Sequence, residues 1–230
     1  MEFFFVFLVI AFIIFLFCLY ATGRDDIVFI RKNVTIEHLF NIAFLSAVFG
    51  LISARLLYAI FSFDREFFNP LVFVLFSYFP GLSLIGGVSG AALFILFFTR
   101  RRRIPTGRVF DYVALALLSA LPFGYIGTLF LQENLNFFES IYLPIIYILL
   151  FLFFLKFLYP RTLRNDLKSG TLGMFFLLTF SFISLVIGTK IRKGDVFFFL
   201  SVEDILAFVL FIASIIILIK QEMISIPGRK

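Results

Sequence analysis

Gly81-Leu82-Ser83-Leu84-Ile85-Gly86-Gly87-Val88-Ser89-Gly90 places four glycines and two serines within ten residues of an otherwise apolar chain. Pro80 stands before it, and a short apolar run, 67–79, leads into Pro80. That run is too short to cross a hydrocarbon core alone, because a helix needs roughly 18–20 residues to do so. It reads as a half-inserted or interfacial segment. Non-helical backbone at membrane depth survives only where protein or a wet cavity satisfies it, so a Pro-Gly break here points to a cavity. The glycines themselves have two readings. They permit a sharp turn and close backbone approach, and Gly87, Ser89 and Gly90 also suit tight helix packing through small faces.

Composition sets the class. The chain has 230 residues, 62% of them hydrophobic, with 39 Phe and no Trp. A soluble domain needs a polar skin that this chain lacks, whereas lipid makes no such demand. A transmembrane barrel would alternate apolar and polar residues over short segments. The apolar runs here are long and continuous, so the expected class is all-α and polytopic. With one cysteine, Cys18, no internal disulfide framework forms. Cys18 lies mid-run and reads as a small apolar residue facing lipid or a neighbour. The first apolar run is long and has no basic residue before it, so it does not read as a cleaved signal peptide. A net charge of +6 on a soluble protein would raise the question of nucleic acid. Here the basic residues fall between apolar runs, so no nucleic-acid partner is expected. Phenylalanine is spread over every run and reads as lipid-facing bulk and helix packing.

Seven spans are expected, over 3–21, 36–61, 82–99, 109–131, 141–158, 171–189 and 200–219, within a single integral membrane domain covering 1–230. Basic residues collect on one side. Arg24, Arg31 and Lys32 follow the first span; Arg100 to Arg103 and Arg108 follow the third. Lys156, Arg161, Arg164 and Lys168 follow the fifth, and Lys220, Arg229 and Lys230 end the chain. The other side holds Arg65, Lys190, Arg192 and Lys193. An excess of Lys and Arg marks cytoplasmic loops, which places the N-terminus outside and the C-terminus in the cytoplasm. Lys190, Arg192 and Lys193 run against that rule locally.

A second stretch, Gly124-Tyr125-Ile126-Gly127-Thr128-Leu129-Phe130-Leu131-Gln132-Glu133, closes the fourth span. Upstream lies Gly50-Leu51-Ile52-Ser53-Ala54-Arg55-Leu56-Leu57-Tyr58. The order of these stretches, with the arginine loop and Asp111 between them, resembles the prolipoprotein diacylglyceryl transferases over about residues 36–133. That resemblance implies a seven-span protein of the bacterial plasma membrane. It implies transfer of diacylglyceryl from phosphatidylglycerol to the lipobox cysteine of a lipoprotein precursor, with no metal and no cofactor. Phospholipid and precursor signal peptides are the partners it implies. The chemistry needs a base for the thiol proton, because the thiolate is the nucleophile. It also needs cations or donors for the departing phosphate, where negative charge accumulates.

The family carries a His where this chain has Ile85, an Arg where it has Tyr125, and an Asn where it has Thr128. Glu133 stands where the family's second stretch ends in Glu. A further family arginine expected in the sixth span has no charged counterpart before Lys190. Candidate catalytic residues are therefore Tyr125 and Glu133. Candidate substrate-binding residues are Arg55, Tyr58, Ser83, Gly86, Gly87, Gly124, Gly127 and Thr128. Arg55, inside a span, either snorkels to the headgroups or meets a lipid phosphate. Tyr58 lies one turn on. Asp111 reads as a salt bridge to Arg108 or a helix N-terminal charge, Glu203 and Asp204, which open the last helix, read the same way, and His38 follows Asn33 and Thr35, both possible caps. Two further functions stay open: a family member that binds lipid or precursor without transfer, and a small permease. A permease would set charged or polar residues opposite one another at mid-membrane.

Overall fold

A computed structural model of the chain describes residues 2–24, 26–32, 34–62, 82–130, 137–164, 166–191 and 202–223. Every element among them is helical: α1 (Glu2–Gly23), α2 (Ile27–Arg31), α3 (Ile36–Ser62), α4 (Leu84–Arg102), α5 (Thr106–Thr128), α6 (Phe137–Phe153), α7 (Tyr159–Leu163), α8 (Thr171–Ile191) and α9 (Val202–Met223). A π-helical turn, Phe154–Leu158, joins α6 to α7. All seven expected spans are present as helices. Five of them, α1, α3, α4, α5 and the run Ile141–Leu163, are long and apolar enough to cross a membrane by length and composition among the described residues. The expected short segment at 67–79, together with Pro80, Gly81 and Glu133, lies outside the described residues.

The chain forms two compact units. The first comprises residues 1–40 and 104–176, and α5 is its centre. Over a membrane-length window α5 is 72% buried, against 17% for α1, so α5 is the core helix and α1 mostly faces outward. Phe3, Phe5, Phe12 and Phe17 of α1 are exposed, as a lipid-facing surface requires. Close approach of α1 to α5 depends on Gly127: a Cβ there would stand 3.1 Å from Phe7 Cβ. Phe7 and Phe130 stack at 5.3 Å, closing the same end. The aromatic excess thus serves both roles expected of it, with Phe29, Phe110, Phe154 and Phe176 buried in this unit. Cys18 is buried as well, so it faces a neighbour rather than lipid.

The second unit comprises residues 41–103 and 177–230. Its axis is the seam between α3 and α4. The expected choice between turn and close packing is decided here for three of the glycines. Ser83 caps α4, accepting the Gly86 N–H at 3.2 Å, so Gly86, Gly87 and Gly90 all lie within the helix. None of the three adopts a positive φ, whereas Gly170 does (99°). Each instead meets α3. A Cβ at Gly86 would stand 2.9 Å from Leu57 Cδ1 and 3.2 Å from Ser53 O. One at Gly50 would stand 3.0 Å from Gly87 O, and one at Gly90 would collide with the Ser53 side chain. Next to this seam Phe49, Phe94 and Phe98 stack in a ladder at 4.4 and 5.4 Å, and α9 also packs on α4.

These distances separate glycines that look alike in sequence. Gly90→Leu should lower thermal stability in detergent, since overpacking a tight contact costs about 1–3 kcal/mol. Gly124→Ala should leave it unchanged, because no atom lies within 4 Å of a Cβ placed there. The chain has no Trp, so circular dichroism at the helix band is the suitable readout. Equal melting of the two variants would refute the seam as a tight contact.

Candidate functional site

Of the candidate residues, Arg55, Tyr58, Ser83, Gly86 and Gly87 belong to the second unit, and Gly124, Tyr125, Gly127 and Thr128 to the first. Within the second unit the structure brings the candidates together. The Ser83 N–H donates to Ala54 O at 3.2 Å, and the Ser53 hydroxyl reaches Gly86 O at 3.0 Å. These two bonds tie the start of α4 to the turn of α3 that carries Arg55. Ala54 Cβ sits 3.4 Å from where a Cβ of Gly87 would stand. Arg55 itself is 0% exposed, so the snorkelling reading does not hold. Arg55 makes interactions within the protein. A charge in that setting is expensive unless it meets acceptors, which makes it a functional candidate by default. Tyr58, one turn on, is half-buried. The N-terminal turn of α4 adds the partial positive charge of a helix start. Ile85 sits in that turn, half-buried, and its side chain can neither carry a proton nor donate a hydrogen bond.

In the first unit the residues of the second stretch form the last turns of α5. Thr128 is exposed, and its hydroxyl donates to Tyr125 O at 2.7 Å. Gly127 is the contact point for α1. Gly124 has open space beside it. Tyr125 is half-buried and stacks on Tyr147 of α6, with ring centroids 5.2 Å apart and planes 9° from parallel. Tyr147 escaped the sequence reading because a single Tyr in an apolar span carries no spacing signal. Glu133 lies outside the described residues.

The other end of the first unit holds a buried polar cluster. Asp26 caps α2, accepting from the N–H groups of Val28 and Phe29. The same carboxylate accepts from the Tyr112 hydroxyl and lies 3.9 Å from Arg108 Nε. Arg108 Nη1 donates to Thr162 O at 2.9 Å. Asp111 is fully buried, and its oxygens accept from Gly170 N at 2.7 Å and Gly173 N at 2.8 Å. Asp111 is therefore a helix N-terminal charge, as one of its two readings held, but the helix is α8 rather than its own. Glycine makes the approach possible: Gly107 lies against Ser169 and Gly170, and Gly173 against the Phe110 ring. The carboxylates of this cluster are met by donors from the protein itself, so it reads as a fastening. No group of three or more His, Cys, Asp or Glu suited to hold a metal occurs among the described residues.

A family model described as prolipoprotein diacylglyceryl transferase matches residues 1–220. The phosphatidylglycerol–prolipoprotein diacylglyceryl transferase of Enterococcus faecalis is 25% identical over 219 residues, covering 84% of this chain and 78% of that protein. The enzyme of the same name from Listeria monocytogenes is 29% identical over 154 residues, covering 64% and 53%. That from Ligilactobacillus salivarius is 28% identical over 120 residues, covering 50% and 44%. The matched part thus spans about half the length of two of these three relatives.

The Asp111 fastening has a measurable weight. Leaving a buried donor without an acceptor costs about 1–3 kcal/mol. Asp111→Ala strands two, so it should destabilise the protein by about 2–6 kcal/mol. Asp111→Asn keeps one carbonyl oxygen and should fall between. Denaturation followed by circular dichroism would check the order, and an Ala variant as stable as the parent would show that α8 is capped some other way.

Proposed function

The chain belongs to the prolipoprotein diacylglyceryl transferase family, and from that premise we propose that it binds phosphatidylglycerol at Arg55 and transfers diacylglyceryl to lipoprotein precursors slowly. One observation carries the reading: the complete burial of Arg55 in the turn of α3 whose residues Ser53 and Ala54 bond to the start of α4. A guanidinium carried by that turn suits a phosphate oxygen. In the transfer, a thiolate sulfur of the precursor forms a bond to the glyceryl carbon. The carbon–oxygen bond to phosphate breaks, and glycerol phosphate leaves with the electron pair. The thiol proton goes to a base.

The residues of this chain set the expected rate. Ile85 supplies no base, and losing a positioned one costs about 100–10,000-fold. At the family's cation position this chain carries Tyr125, a neutral donor, and a neutral donor stabilises developing negative charge less than a cation does. Ser83, Gly86 and Gly87 shape the phosphate end of the site, while Tyr58 lines its edge. The family match gives the permease reading no support. The setting is a multi-pass membrane protein; the specific arrangement proposed is the bacterial plasma membrane, N-terminus outside and C-terminus cytoplasmic, on the basic-residue bias.

Two measurements test this. Purified protein in phosphatidylglycerol vesicles, given a peptide with a lipobox cysteine, should yield diacylglyceryl-peptide slowly by mass spectrometry. The double change Ile85→His with Tyr125→Arg should raise the yield at least tenfold, and Arg55→Ala should abolish it. Fast parental turnover untouched by Arg55→Ala would sink the assignment. For orientation, Cys18→Ser protein carrying Arg102→Cys should resist an impermeant thiol reagent applied from outside, while Asn134→Cys should react. The reverse pattern would invert the topology.

A further inference from the structure

The Tyr125–Tyr147 pair carries a chemical consequence that the family position alone does not. Tyr147 is 1% exposed, and its hydroxyl makes no hydrogen bond of ordinary geometry among the described residues. The stacked Tyr125 ring places a second hydroxyl within interacting reach. Two phenols hold two donor protons. If one hydroxyl donates to the other, one proton is satisfied and the second still has no acceptor among the described residues. Buried hydroxyls in proteins are nearly always paired, and those that are not call for an explanation. The apolar setting sharpens the point, because no bulk water is at hand to accept.

Tyr125 is half-buried, and the neighbouring Gly124 has no atom within 4 Å of a would-be Cβ. A ligand reaching an α5 end flanked by exposed apolar residues such as Phe130 comes from the lipid. Phospholipids bring two kinds of acceptor oxygen, the phosphodiester and the acyl ester carbonyl. The charged oxygen is the stronger acceptor for a neutral O–H, and paired donors match its two free oxygens.

We propose that Tyr147 is a lipid-binding residue, and that its hydroxyl and that of Tyr125 together hold the phosphodiester of an anionic phospholipid. The inference rests on the reading of this protein as a phospholipid-handling member of its family, and adds the second donor. Two neutral donors suit the single negative charge of a bound phosphodiester. They suit less well the second charge that develops as a phosphate monoester departs, so the pair favours holding lipid over releasing product.

The experiment uses the full-length protein in dodecyl maltoside micelles, which supply neither phosphate nor acyl ester. With 3-fluorotyrosine at position 147, the fluorine resonance is followed as lipid is added. Diacyl phosphatidylglycerol and its diether analogue, which lacks ester carbonyls, should both shift it; diacylglycerol, which lacks phosphate, should not. Tyr147→Phe keeps the ring stack and should weaken phosphatidylglycerol binding about tenfold, the worth of one hydrogen bond to a charged acceptor. A resonance that stays still with the diether lipid, or moves with diacylglycerol, overturns the proposal. Phosphatidylglycerol binding that depends on Arg55 while the Tyr147 resonance is silent would leave the Arg55 assignment standing and remove the pair. A shift at Tyr147 together with phosphatidylglycerol binding that survives Arg55→Ala would keep the pair and remove the Arg55 assignment.

Discussion

Two apolar helices surrounded by lipid gain nothing from hiding oily surface, because the solvent is equally oily. What holds them is close fit and hydrogen bonds across the gap. The Ser53 hydroxyl on Gly86 O, at 3.0 Å, is such a bond, and it exists because Gly50, Gly86, Gly87 and Gly90 let two backbones approach. With α4 held off by larger side chains, Ser83 N would not reach Ala54 O, and the turn of α3 that carries Arg55 would lose its tie to α4.

Much of this was legible in the sequence, and the reasons are specific. Long unbroken apolar runs leave few alternatives to spanning helices, so seven of them could be placed within a few residues. Thr35 before His38 was readable as a cap, and the structure shows the His38 N–H directed at its hydroxyl. Gly86, Gly87 and Gly90 were legible as important but not as to purpose: a turn and a packing face both want glycine, and only the neighbouring helix decides. Gly124 and Gly127 illustrate the limit better. They sit three residues apart in one helix, yet only Gly127 has a helix against it. Long-range polar partners were out of reach for the same reason. Asp26 to Tyr112 spans 86 residues, and no local pattern encodes it.

The family positions show a consistent chemical drift. Ile85 and Tyr125 stand where the family has a His and an Arg, while Arg55 matches the family's Ala-Arg position. Recognition of an anionic headgroup tolerates that change, since neutral donors still bind anions. Proton transfer does not, because it needs a group whose protonation state alternates. On the proposed function, binding and turnover draw on different residues, and substitution has fallen on the second set.

Asp111 and α8 have a bearing on how the protein is made. The carboxylate that receives the Gly170 and Gly173 amides lies 59 and 62 residues earlier in the chain. During synthesis it has left the ribosome before those amides exist. The start of α8 therefore enters the bilayer with its acceptor already in place, and its first amides need not linger unmet in hydrocarbon. A chain rearranged so that α8 emerged before α5 would have identical contacts when finished, but a harder route to them.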